Sequence, residues 1–101
     1  MSQTGKMVSL YIYYKIQSAD LNDVLATASL FWQTVRSMDI PLQLETLIKN
    51  ERSSSEIQTL MEHYSVRHAD IDLAIRQIAI LAGSHHMPEP RHVEIFTTLA
   101  V

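Results

Sequence analysis

The stretch Val8-Ser9-Leu10-Tyr11-Ile12-Tyr13-Tyr14-Lys15-Ile16 alternates along its whole length. Val8, Leu10, Ile12, Tyr14 and Ile16 fall on one side, and Ser9, Tyr11, Tyr13 and Lys15 on the other. A repeat of two is the signature of a strand with one packed face, because successive side chains point to opposite sides of a sheet. The run His92 to Leu99 behaves the same way, with Val93, Ile95 and Leu99 set against His92, Glu94, Phe96 and Thr98. These two runs predict antiparallel strands sharing one core face. Their second face mixes aromatic rings with ionisable groups, which suits neither a core nor an ordinary wet surface, and any function is expected there.

Working outward, Leu21, Val24, Leu25, Ala28, Phe31, Trp32, Val35 and Met38 recur at helical spacing, so Leu21 to Met38 reads as an amphipathic helix. Asp20 is the expected N-cap, Asp23 suits the positive end of the helix dipole, and Pro41 lies just past the end. A second helix is expected from Ile71 to Ala82, with Asp70 as N-cap and Gly83 as the stop. Its stripe is Ile71, Ala74, Ile75, Ile78, Leu81 and Ala82, widened by Leu73 and Ile80. Trp32 and Met61 are read as core packing.

Two more strands lie between the helices. Leu42 to Lys49 places Leu42, Leu44, Thr46 and Ile48 opposite Gln43, Glu45, Leu47 and Lys49. Ile57 to Val66 is read with Ile57, Thr59, Met61 and His63 toward the helices and Leu60, Glu62 and Tyr64 toward the open face. Asn50 to Glu56, with Ser53, Ser54 and Ser55, is expected to be a polar, mobile hairpin loop, and Gly83 to Pro90 a proline-bearing loop into the last strand.

The order strand, helix, strand, strand, helix, strand predicts an α+β fold: a ferredoxin-like βαββαβ sandwich in which two helices cover one face of a four-stranded antiparallel sheet. Residues 1–101 are expected to form a single domain. Tyr11, Tyr13, Lys15, Leu60, Glu62, Tyr64, His92, Glu94 and Phe96 would then share the uncovered face. Rings exposed as one patch call for a cover, and the simplest is a second copy about a twofold axis, giving a homodimer packed sheet against sheet.

Composition narrows the classes. The net charge is −3 with Lys and Arg scattered, so there is no electrostatic footprint for nucleic acid or an anionic membrane. The absence of cysteine removes disulfides and thiolate zinc sites and fits a reducing, cytoplasmic setting. Met1 to Met7 carries Lys6 but no long apolar run after it, so neither a signal peptide nor a membrane span is expected.

The chain resembles a small bacterial family recorded only as a domain of unknown function. The likeness is carried by Leu10-Tyr11-Ile12-Tyr13-Tyr14-Lys15-Ile16, Thr59-Leu60-Met61-Glu62-His63-Tyr64 and Arg91-His92-Val93-Glu94-Ile95-Phe96. The family pattern has a tryptophan where this chain has Leu60. More distantly the strand order is similar to that of dimeric alpha-beta barrel proteins, a group that includes cofactor-free monooxygenases, haem-binding enzymes and small stress proteins. Fold analogy does not choose among those activities.

Chemically, the expected open face supports binding of a small, partly apolar molecule, with Tyr11, Tyr13, Lys15, Tyr64 and Phe96 as contacts, or a role as an interaction module. The enzyme alternative is a cofactor-independent oxygenase or isomerase with His92 as general base, oriented by Glu94 or Glu62. An RNA-recognition role would use Tyr11, Tyr13 and Tyr64 as stacking platforms. The basic, glycine-containing signature that such modules carry on the third strand is missing, and Glu62 and Glu94 would repel phosphates. No metal is assigned, because His68, His85 and His86 fall in loops and His63 is read toward the helices. No cofactor is implied.

Overall fold

The computed structural model describes residues 6–49 and 56–97. Strand β1 spans Met7–Gln17, helix α1 Leu21–Arg36, β2 Leu42–Ile48, β3 Ile57–Arg67, α2 Ile71–Ser84 and β4 His92–Thr97. The four strands form one antiparallel sheet in the order β2-β3-β1-β4. This is the ferredoxin-like arrangement, with its longest strands, β1 and β3, paired at the centre from Met7↔Arg67 to Gln17↔Ile57. The predicted hairpin loop, apart from Glu56, and the end of the last predicted strand at Thr98 and Leu99 lie outside the described residues.

The alternation of β1 is realised as read: Val8, Leu10, Ile12, Tyr14 and Ile16 are all buried beneath the helices. Ala28, Phe31 and Val35 of α1 and Ala74, Ile78 and Ala82 of α2 meet them, so each helix delivers its spaced apolar stripe to one core. The two halves of the chain repeat one device. Each central strand runs into a 3-10 turn, Ser18–Asp20 or His68–Asp70, before its helix begins.

Local details depart from expectation. Asp20 and Asp70 occupy the N-cap positions but make no side-chain capping bond. Asp70 instead binds the Arg67 guanidinium at 2.8 and 2.9 Å. Gly83 does not stop α2, which continues to Ser84. The stop is made by His86 in the left-handed region at φ 57°. His86 N–H donates to the Gly83 carbonyl at 3.1 Å and Met87 N–H to the Ala82 carbonyl at 2.9 Å, the paired bonds of a Schellman end. Met87, buried, anchors the turn in the core.

The phase of β3 is the opposite of the one read from the sequence. Leu60, Glu62, Tyr64 and Val66 are buried on the helix side, while Thr59, Met61 and His63 stand on the open face. A shift of one residue moves every side chain of a strand to the other face, so this correction redistributes the candidate site.

Candidate functional sites: an aromatic sheet face and a buried carboxylate

The pairing register lays the open face out in rows. Gln43, Ser65, Ser9 and Phe96 form one row across the sheet, Glu45, His63, Tyr11 and Glu94 the next, and Leu47, Met61, Tyr13 and His92 the third. Neighbours in a row stand close enough for direct contact. The Tyr11 and His63 rings stack at 4.4 Å with an interplanar angle of 8°, and Phe96 meets Tyr11 edge-on at 5.4 Å. Tyr13 stacks on His92 at 5.0 Å. Ser9 Oγ lies 3.0 Å from His63 Nε2, and Glu45 Oε1 lies 3.6 Å from its Nδ1. The small serine of the first row leaves a shallow hollow walled by Tyr11, Met61, Glu94 and Phe96.

Of the residues expected on this face, Tyr11, Tyr13, Lys15, His92, Glu94 and Phe96 are there. Lys15 is exposed and sits opposite Thr59, beyond the stacked rings. Glu94 accepts the Tyr13 hydroxyl at 3.4 Å, so it is the tyrosine that engages this carboxylate. Glu62 and Tyr64 are not on the face. The sheet lies between them and His92, and Glu62 therefore cannot orient that imidazole. His63 takes their place on the open side.

On the covered side, Glu62 organises a polar cluster inside the core. Its side chain has no accessible surface. Oε1 accepts from the Tyr64 hydroxyl at 2.7 Å and Arg91 Nη2 at 2.7 Å. Oε2 accepts from the Tyr14 hydroxyl at 2.9 Å, Trp32 Nε1 at 3.1 Å and Arg91 Nη1 at 3.4 Å. A buried carboxylate is costly unless paired and saturated with donors, and here both conditions are met. The guanidinium also lies over the Tyr14 and Phe31 rings, 5.0 and 5.2 Å from their centroids.

The electrostatics follow from burial. Desolvation, reinforced by the charge and hydrogen bond of Glu62, pushes the Tyr14 and Tyr64 phenols far above the ordinary tyrosine value, with Arg91 opposing only in part. Burial by itself would lower Arg91, but its hydrogen bonds to Glu62 and the attraction of that carboxylate outweigh the loss and hold the guanidinium above its ordinary value. The cluster is thus a fixed ion pair with two neutral phenols.

Arg91, Trp32 and Tyr14 were not among the sequence candidates. A signal for them existed: the alternation of β4, extended back by one residue, puts Arg91 in phase with Val93 and Ile95, as Glu62 is in phase with Leu60, Tyr64 and Val66. Ile12 of β1 faces Glu62 on one flank and Val93 on the other. Opposite charges in the apolar phases of two strands that flank a third are positioned to meet beneath it.

Arg91 is reached from outside through a cleft of about 270 Å³ between α2 and β4. Ile75, Ile78 and Ala79 of α2 form one wall and Ile12 and Val93 the other, and Glu89 and Arg91 are the charged residues of the lining. The cleft exists because β4 is a short edge strand that the helices do not cover: Val93 and Ile95 point to the helix side yet remain 46% and 49% exposed. Among the described residues no three His, Asp or Glu side chains gather to hold a metal ion. Among them, too, no helix is long and apolar enough to cross a membrane.

No family model and no curated protein matches the chain. Solved structures do. A conserved protein of unknown function from Bacteroides thetaiotaomicron aligns with a TM-score of 0.64 at 11% identity, over 92% of this chain and 98% of its own. A candidate monooxygenase from Shewanella loihica aligns at 0.63 with 9% identity, over 95% and 97% of the two chains. SnoaB, a cofactor-independent oxygenase from Streptomyces nogalater, aligns at 0.52 with 14% identity, over 96% and 97%. The chain therefore shares the ferredoxin-like α+β fold of these proteins, and at these identities the likeness concerns fold alone.

Proposed function

We propose that this protein is a sheet-to-sheet homodimer that binds a small, partly apolar molecule in the cleft between α2 and β4 of each protomer. The observation that carries the ligand seat is the cleft itself: a mostly apolar trough whose lining includes an arginine with its orientation already set by a buried carboxylate. Binding sites are concave, mostly apolar and equipped with a few polar groups, which here are Arg91 and Glu89. The aromatic face supports the dimer. Phe96 is 54% exposed and Leu47 43% in the same patch as Tyr11, Tyr13 and Met61, an arrangement better suited to an interface than to solvent. Glu45, Glu94 and Lys15 on that face give a twofold partner charges of both signs to meet.

Titration of uniformly labelled protein with hexanol, followed by amide and methyl resonances, tests the seat. Shifts confined to Ile75, Ile78, Ala79 and Val93, abolished by Ala79→Trp at the exposed cleft wall, are expected. Shifts spread over the aromatic face instead would move the ligand there and overturn this placement.

A second reading is catalytic. His92 stacks on Tyr13 on the open side, and the fold is shared with a cofactor-independent oxygenase; both support a cofactor-free oxygenase or isomerase with His92 as base. For any substrate found, His92→Ala should then abolish turnover with the dimer intact, whereas loss of the dimer alone would assign His92 to the interface.

A further inference from the structure

We infer that the α2–β4 cleft selects an amphiphile with a cationic head, of the alkylammonium class. This rests on the cleft being the ligand seat and goes beyond it to the charge of the ligand. An arginine in the lining of an apolar trough ordinarily favours an anion. Here Arg91 is neutralised from behind. Its Nη2 and Nη1 both engage Glu62, at 2.7 and 3.4 Å, and its side chain is only 11% exposed.

Glu89, the other charged group lining the cleft, is in the opposite situation. It is exposed, and among the described residues it has neither a hydrogen bond nor an ion pair. The lining and its buried support therefore hold two carboxylates against one guanidinium. An anion entering the trough meets a guanidinium already paired with Glu62 and an unpaired carboxylate that repels it, while an ammonium finds that carboxylate and leaves its hydrocarbon tail against Ile75, Ile78 and Val93. The volume, about 270 Å³, falls below the range of drug-sized pockets and suits a short tail.

Hexylamine, hexanoate and hexanol share one tail length and differ in head charge at pH 7, so they serve as probes in titrations of the full chain monitored by nuclear magnetic resonance. An exposed ion pair supports a preference of about fivefold. Hexylamine is thus expected to bind about fivefold more tightly than hexanol, with hexanoate weaker than both, and Glu89→Gln is expected to remove the amine's advantage. Hexanoate binding as tightly as hexylamine, or an amine preference that survives Glu89→Gln, would overturn the inference. Hexanol binding in the cleft without any charge preference would sink this inference alone. Failure of all three probes to perturb the cleft would sink the ligand seat with it.

Discussion

Arg91 Nη2 meets Glu62 Oε1 at 2.7 Å on the covered side of the sheet, joining the residue just before β4 to the middle of β3 across the intervening β1. The pair ties an edge strand to the core at a point where the helices give it little cover. The carboxylate is simultaneously held by two tyrosine hydroxyls and an indole, so loss of any member leaves the others short of a partner.

Breaking the pair from one side should be severe. Arg91→Met leaves a buried carboxylate without a countercharge and is expected to cost about 3–5 kcal/mol in urea unfolding. The double variant Arg91→Met, Glu62→Leu removes both charges and should recover part of that loss, the remainder being the Tyr14 and Tyr64 hydroxyls and the Trp32 indole N–H left without their acceptor. Additive losses in the cycle would show that the two side chains are not coupled.

The buried phenols set an alkaline limit. Their folded-state values are raised, so the folded chain holds these protons more tightly than the unfolded chain, whose tyrosines titrate at about 10. The stability that Tyr14 and Tyr64 contribute is therefore fully present below pH 10 and is lost as pH rises above it. Urea midpoints measured from pH 7 to pH 11 should fall across the upper part of that range. Tyr64→Phe should make the fall shallower while costing about 1.5–3 kcal/mol at pH 7 for the lost bond to the carboxylate. An unchanged slope in this variant would argue against a protonated, buried Tyr64.

His86 terminates α2 in a conformation that glycine adopts without steric cost. His86→Gly should stabilise the protein by about 1 kcal/mol, raising the melting temperature by about 4–8 °C, and His86→Val should lower it. Scanning calorimetry would register both, and destabilisation by glycine would contradict the left-handed assignment.

The aromatic face should control assembly. Phe96→Lys introduces a charge into the exposed patch and is expected to convert a dimer to monomers, read as a halved molar mass in light scattering. Leu30→Lys, on the exposed side of α1, should leave the mass unchanged. Equal masses for both variants and the parent would remove the sheet-to-sheet dimer.

Much of the architecture is legible locally. The alternation of Val8 to Ile16 reports a half-buried strand because its five inward side chains are apolar, and the stripes of α1 and α2 report helices for the same reason. Tyr11, Tyr13, His92, Glu94 and Phe96 could be placed on the open face from period alone. Strand β3 resisted because its buried phase contains a charge. Once Glu62 is assumed to prefer water, Tyr64 and Leu60 are carried to the wrong side with it, and His63 and Met61 to the other.

By itself, then, the order of apolar and polar residues determined the elements, their sequence along the chain and the faces of β1, β2 and β4, since each depends on side chains only a few positions apart. Tertiary structure alone decided the phase of β3, the Arg91 to Glu62 pair and the cleft above it. Burying a carboxylate becomes favourable only when an arginine 29 residues away and the hydroxyls of Tyr14 and Tyr64 converge on it, and that convergence exists only in the folded chain.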